Sequence, residues 1–177
     1  MLRPTFRFRL CLLSAVLLLA SCGDSTGPDT RPDGGLTILR VAADAPPLEE
    51  SEISFYVVRG QGHEGIMYFQ DGSGGRGEEY LRLKFDGEAI LTDANGLPVA
   101  MGDSVLIRVT AVDPAKVQFQ FEPAGIVFNP LHMPELRIRY DKSDHDFNDD
   151  GVEDSEDDDI ETRLSIWRQE TIGGVYV

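Results

Sequence analysis

The sequence predicts a mainly β fold: an antiparallel β-sandwich with one acidic insertion between its late strands. Three observations carry this expectation. Apolar and polar residues alternate with period two in at least six separate runs. Gly, Pro and Asn-Gly break the chain between those runs. Beyond residue 21 no long stretch repeats its apolar residues every 3.6 positions, as a packed helix requires.

The elements follow in order. Residues 1–21 read as a targeting segment and not as structure. Arg3, Arg7 and Arg9 form a positive start, and residues 10–20 form an apolar run too short to span a bilayer comfortably. Residues 23–35 hold no apolar side chain and many turn formers, and read as a flexible tether reaching about 40 Å at most. Residues 36–177 are then the folded domain. The expected strands are residues 36–41, 52–58 and 65–69, followed by alternating runs around Leu81–Phe85, Val105–Thr110, Val117–Phe121 and Leu136–Tyr140. A last strand is expected over residues 164–168, and a helical turn or two over residues 157–164. Asn95-Gly96 between two short apolar runs predicts a hairpin, because both residues tolerate positive φ.

Charge narrows the function classes. The chain of 177 residues has a formal charge of −15; without residues 1–21, which carry three arginines and no acid, the charge is −18. Such a surface is repelled by nucleic acid, so no nucleic-acid partner is expected. A cation or a basic protein surface is its natural partner. Cys11 lies in the targeting segment, which leaves Cys22 as the single cysteine and no internal disulfide.

Two resemblances sharpen the reading. Leu19-Ala20-Ser21-Cys22 closes the apolar run and resembles the lipobox of bacterial lipoproteins. That resemblance implies cleavage before Cys22, lipidation of its thiol and attachment to the cell envelope. Gly23 follows the cysteine where an Asp favours inner-membrane retention, so outer-membrane delivery is implied. Residues 121–130 (Phe-Glu-Pro-Ala-Gly-Ile-Val-Phe-Asn-Pro) resemble one edge of a ZU5-like domain, itself an Ig-like sandwich. They depart from it in spacing, with only Asn129 between Phe128 and Pro130. Such domains serve mostly as interaction modules, and a shared fold does not fix a role.

The residues with chemical content lie between 141 and 161, where twelve acids face one cation, Lys142. Residues 146–157 fit a twelve-residue calcium loop. Oxygen side chains fall at positions 1, 3 and 5 as Asp146, Asn148 and Asp150, and Gly151 sits at the sharp turn. Val152 offers a backbone carbonyl, Asp154 acts directly or through water, and Asp157 closes the loop. Ca²⁺ takes six to eight hard oxygens, which alternate residues of a tight loop can aim inward. The loop resembles that of dockerins, which also have Asp at position 12; the shorter Asp157 leaves bidentate closure open. Dockerins carry two such loops between helices, so only the loop chemistry transfers.

Other motifs are weaker. Residues 60–65 match Gly-x-Gly-x-x-Gly, but a strand and not a helix is expected after them, which argues against dinucleotide binding. His63, His132 and His145 lack zinc-ligand spacing, and no serine sits in a strand-turn-helix elbow. No catalytic residue is assigned. Trp167 reads as a core or strand-pairing aromatic. The expectation is a lipid-anchored, non-catalytic calcium-binding module, with the membrane and an envelope protein as partners. The alternative is a small secreted hydrolase, or an accessory domain of an envelope complex.

Overall fold

In the computed structural model, residues 38–168 are described. They form eight strands and one short helix. The strands are β1 (Glu52–Val58), β2 (His63–Gln70), β3 (Arg76–Phe85), β4 (Ile90–Thr92), β5 (Ser104–Ala111), β6 (Phe119–Glu122), β7 (Val127–Phe128) and β8 (Glu135–Ile138). The helix α1 spans Ser155–Glu161. The lipobox, Cys22 and the expected tether lie outside the described residues.

The strands form two antiparallel three-stranded sheets, ordered β1-β5-β6 and β2-β3-β8, with a β4-β7 ribbon beside them. The expected mainly β, antiparallel architecture is therefore present. Period two explains why these residues pair as they do. On β5, Val105, Ile107, Val109 and Ala111 are buried while Leu106 and Arg108 face out. The facing sheet contributes Met67, Phe69, Leu81, Leu83 and Phe85, and the ribbon side adds Ala89, Ile90 and Val99. At about 25 cal/mol per Å² of apolar area removed from water, this contiguous cluster is the main stabilising term.

Aromatic rings tie the layers together. Phe55 of β1 stands 6.2 Å from Phe85 of β3, which stands 6.2 Å from Phe128 of β7. Phe119 of β6 lies 5.2 Å from Tyr80, which lies 4.6 Å from Phe69. Tyr80 is the extra residue of a bulge: Met67 pairs with Leu81 and Tyr68 with Glu79, so Tyr80 and Leu81 are buried consecutively. Burial pushes the Tyr80 phenol up to about 12.

Gly60 and Gly65 of the Gly-x-Gly-x-x-Gly run have packing roles. Gly60 turns the chain between β1 and β2 at φ 95°. A Cβ on Gly65 would sit 1.9 Å from Cε1 of Phe55, so only glycine lets that ring lie flat on β2. The residues that follow continue β2, as expected.

Several expectations are corrected. Residues 164–168 form no strand: α1 precedes them, and Leu164, Ile166 and Trp167 are exposed. Among the described residues the acidic loop thus follows the last strand, β8, and leads into α1. Among the described residues it does not sit between two strands, because the segment after it enters the helix α1 and joins no sheet edge. Trp167 is accordingly not a core residue. The first expected strand is reduced, within residues 38–41, to single bridges from Arg40 to Lys116 and from Val41 to Ser143. Phe121 is 40% exposed because β6 is an edge strand with a shallow inner face.

The hairpin at Asn95-Gly96 is present. Thr92 bridges Pro98, the Asp93 N–H donates to the Leu97 carbonyl at 2.9 Å, and Gly96 has φ 78°. Pro123 and Gly125, the latter at φ 91°, make the corner that carries the chain from β6 to the ribbon strand β7.

The antiparallel pairing gives the sandwich two ends. Turns 59–62, 86–89 and 99–103 gather at one. Residues 38–48, the 112–118 turn and the acidic segment after β8 gather at the other. The eight residues of β5 separate the ends by about 27 Å.

Candidate functional site: the acidic loop

The acidic loop begins where the N-terminal segment pins it. The Ala42 N–H donates to the Lys142 carbonyl and the Asp144 N–H to the Arg40 carbonyl, both at 2.9 Å. On its other side the same segment pairs with residues 115–117, through the Val41 N–H to the Ala115 carbonyl at 2.9 Å. Ser143 is buried at this junction. The loop is thus held to the end of the sandwich at which the chain enters.

Inside the loop, carboxylates organise the backbone. Asp146 Oδ1 accepts the Asp150 N–H at 3.0 Å and its Oδ2 accepts the Gly151 N–H at 2.8 Å. Asn148 Oδ1 accepts the Asp150 N–H at 2.9 Å, and Asp150 Oδ1 accepts the Val152 N–H at 2.9 Å. The chain reverses through Asp149 at φ 64° and Gly151 at φ 88°. Positive φ costs a β-carbon-bearing residue energy, but Asp tolerates it better than most. The Val152 side chain is exposed.

Asp157 is the loop's centre. It is 2% exposed, and its carboxylate receives three backbone N–H groups. Oδ1 accepts from Phe147 at 2.7 Å and Asn148 at 3.1 Å, and Oδ2 accepts from Asp154 at 2.9 Å. The bond from Asp154, then those from Asn148 and Phe147, hold its pKa below the ordinary carboxylate value against the opposing effect of burial. Asp157 therefore ties position 12 of the loop back to positions 2, 3 and 9.

Asp154 has a second role. It is the N-cap of α1, its Oδ1 accepting the Glu156 N–H at 2.8 Å, and with Asp157 it completes a capping box. The signal for this was present in the sequence, as an Asp three residues before another acid ahead of a short amphipathic stretch.

Sequence reasoning missed Arg40. Its guanidinium donates to Asp149 at 2.6 Å and to Asp144 at 3.1 Å, and reaches the Asp146 carbonyl at 3.5 Å. More than a hundred residues separate these partners, so no local pattern reveals the pairing. Lys142, the one cation inside the acidic segment, pairs with Glu78 at 3.4 Å and with its neighbour Asp141 at 3.7 Å.

Among the described residues, no three His, Cys, Asp or Glu side chains converge at metal-binding spacing. The oxygens of Asp146, Asn148, Asp150 and Asp157 point along one loop and are engaged by backbone donors. The three histidines are dispersed. His63 stacks on Phe55 at 5.5 Å, and His145 lies 5.4 Å from Phe147. His132 Nδ1 is 2.7 Å from Asp86 Oδ2 at the opposite end of the sandwich, with both side chains open to solvent. The hydrogen bond to His132 is the main cause of a lowered Asp86 pKa.

No helix of the described residues is long and apolar enough to cross a membrane. No family model matches the chain, and no curated protein or solved structure is similar to it.

Proposed function

We propose that the chain is an envelope lipoprotein, anchored through Cys22, whose β-sandwich is a non-catalytic module with a calcium-binding loop at residues 146–157. The observation that supports it is the loop itself. Asp146, Asn148 and Asp150 alternate around a reversal at Gly151, and Asp157 ties the two ends of the loop together. The donors are hard oxygens, the class that Ca²⁺ selects. Asp146, Asn148, Asp150, the Val152 carbonyl, Asp154 and Asp157 would hold the ion. Bound there, it would neutralise carboxylates that otherwise repel one another.

A ligand bound only by the native state stabilises it, by about 2.7 kcal/mol at a hundred times its dissociation constant. Calcium should therefore raise the melting temperature of the full chain by several degrees, and Asp146→Ala and Asp150→Ala should abolish the rise. Calorimetric titration of the full chain with Ca²⁺ that gives no heat, together with an unchanged melting curve, would falsify the loop assignment. The anchor has its own test. Cys22→Ala should move the protein from the membrane to the soluble fraction and remove lipid labelling. A variant that stays membrane-bound and labelled refutes it.

The hydrolase alternative has one candidate pair, His132 and Asp86. Hydrolysis of a simple nitrophenyl ester that disappears in His132→Gln would favour it.

A further inference from the structure

The chain has three asparagines, and their surroundings set one of them apart. An asparagine loses its side-chain amide when the backbone nitrogen of the next residue attacks Cγ, so the following residue decides its reactivity. Asn129 precedes Pro130, whose ring nitrogen carries no hydrogen to lose. Asn148 precedes Asp149, whose side chain crowds the nitrogen. Its carboxamide is also held at both ends: Oδ1 accepts the Asp150 N–H at 2.9 Å, and Nδ2 donates to Asp150 Oδ2 at 3.2 Å. Asn95 precedes Gly96, which has no β-carbon to hinder the approach.

The hairpin places this pair where it can react. Residues 94–98 are all exposed. Apart from its chain neighbours, nothing stands within 4 Å of the position a Gly96 Cβ would take. Among the described residues the Asn95 carboxamide is held only through Nδ2, which donates to Asp93 Oδ2 at a long 3.4 Å. The restraint lies in the turn. The Gly96 N–H donates to the Asp93 carbonyl at 3.0 Å, while Asp93 Oδ1 accepts the Asn95 N–H at 2.9 Å and the Leu97 N–H at 2.8 Å. An exposed turn with little apolar support opens locally at small cost in free energy. Each opening frees the Gly96 nitrogen.

We propose that Asn95 is a site of spontaneous deamidation, gated by opening of the Asp93 turn. The Gly96 nitrogen gives up its proton and bonds to Asn95 Cγ; the Cγ–Nδ2 bond breaks and the side-chain nitrogen leaves as ammonia with that proton. Water then opens the resulting succinimide at either carbonyl, giving aspartate or isoaspartate. The product adds one negative charge to a chain already at −15. That charge arises beside Asp93, whose carboxyl the N–H groups of Leu97 and Asn95 hold below the ordinary pKa. The inference is independent of calcium. The test ages the full chain at mildly alkaline pH and maps tryptic peptides by mass spectrometry. Residues 85–108 form one such peptide, with Asn95 as its single asparagine. A gain of about one mass unit there, with an isoaspartate form eluting separately, is expected. It should vanish in Asn95→Gln, which closes a larger ring far more slowly. No gain, or a gain confined to peptides holding Asn129 or Asn148, overturns the proposal. Asp93→Ala should speed the reaction several-fold while the amides of β5 keep their protection, which verifies that the variant folds. An unchanged rate in that variant overturns the gating.

Discussion

The sandwich and the acidic loop are built by opposite means. In the sandwich, the backbone satisfies itself through strand ladders, and side chains add stability by leaving water. Val109 and Leu81 are fully buried members of the core cluster. In the loop there is no ladder and almost no apolar burial. The backbone N–H groups of residues 147, 148, 150, 151, 152, 154 and 156 are satisfied by carboxylates and one amide, and the residue at the centre is Asp157. A sandwich of this kind tolerates change at its surface and fails at its core. The loop fails at a charged residue, and its integrity depends on that residue's protonation. Small proteins often place binding chemistry in such a segment, because carboxylates that order a loop are also poised to meet a cation.

Substitutions at the two centres should separate these modes. The largest effect is expected at Leu81→Ala, which leaves a void under both sheets and should cost about 2–5 kcal/mol in chemical denaturation. Gly65→Ala comes next. Its new methyl group collides with the Phe55 ring, and displacing that ring should cost about 1–3 kcal/mol. A denaturation midpoint for Gly65→Ala equal to the parent's would show that Phe55 moves freely and that the ring stack is not part of the core.

At the loop the expected loss is local. Asp157→Ala should speed amide exchange at Phe147, Asn148 and Asp154 about tenfold or more, while the amides of β5 stay protected. Acid should act in the same place. The Asp157 carboxyl titrates below its unfolded value of 3.8. The stability it lends is therefore complete above that value and is lost as the pH falls through the lower folded-state pKa. Loop amide shifts that change well above pH 4, with the sandwich intact, would contradict the arrangement. The smallest effect belongs to the exposed pair at the far end. His132→Gln should return the Asp86 pKa toward the ordinary value, read by carbon NMR, with no measurable change in melting.

Much of the fold was legible because β-sheets write their pattern locally. Residues 52–58 were predicted as a strand and form β1 at the same limits. The alternation of Val105, Ile107 and Val109 appears unchanged as the buried face of β5. Phe121 obeyed the same pattern and is nonetheless exposed. Alternation tells which side of a strand a residue faces, not how deep the sheet is at its edge. Residues 164–168 alternate too, yet form no strand, because alternation alone does not bring a segment alongside a sheet edge. The spacing of oxygens and glycine over residues 146–157 was readable as a tight loop. The roles of Asp154 as a helix cap and Asp157 as a buried hub for N–H groups depended on the loop closing in three dimensions.

By itself the sequence determined a mainly β chain with strong acidity concentrated in one segment, since periodicity and charge are properties of neighbours along the chain. The tertiary structure decided which strands share a sheet, why Gly65 must be glycine beneath Phe55, and that Arg40 answers Asp144 and Asp149. Those pairings join residues far apart in sequence, and only the packing of the whole chain brings their atoms within a few ångströms.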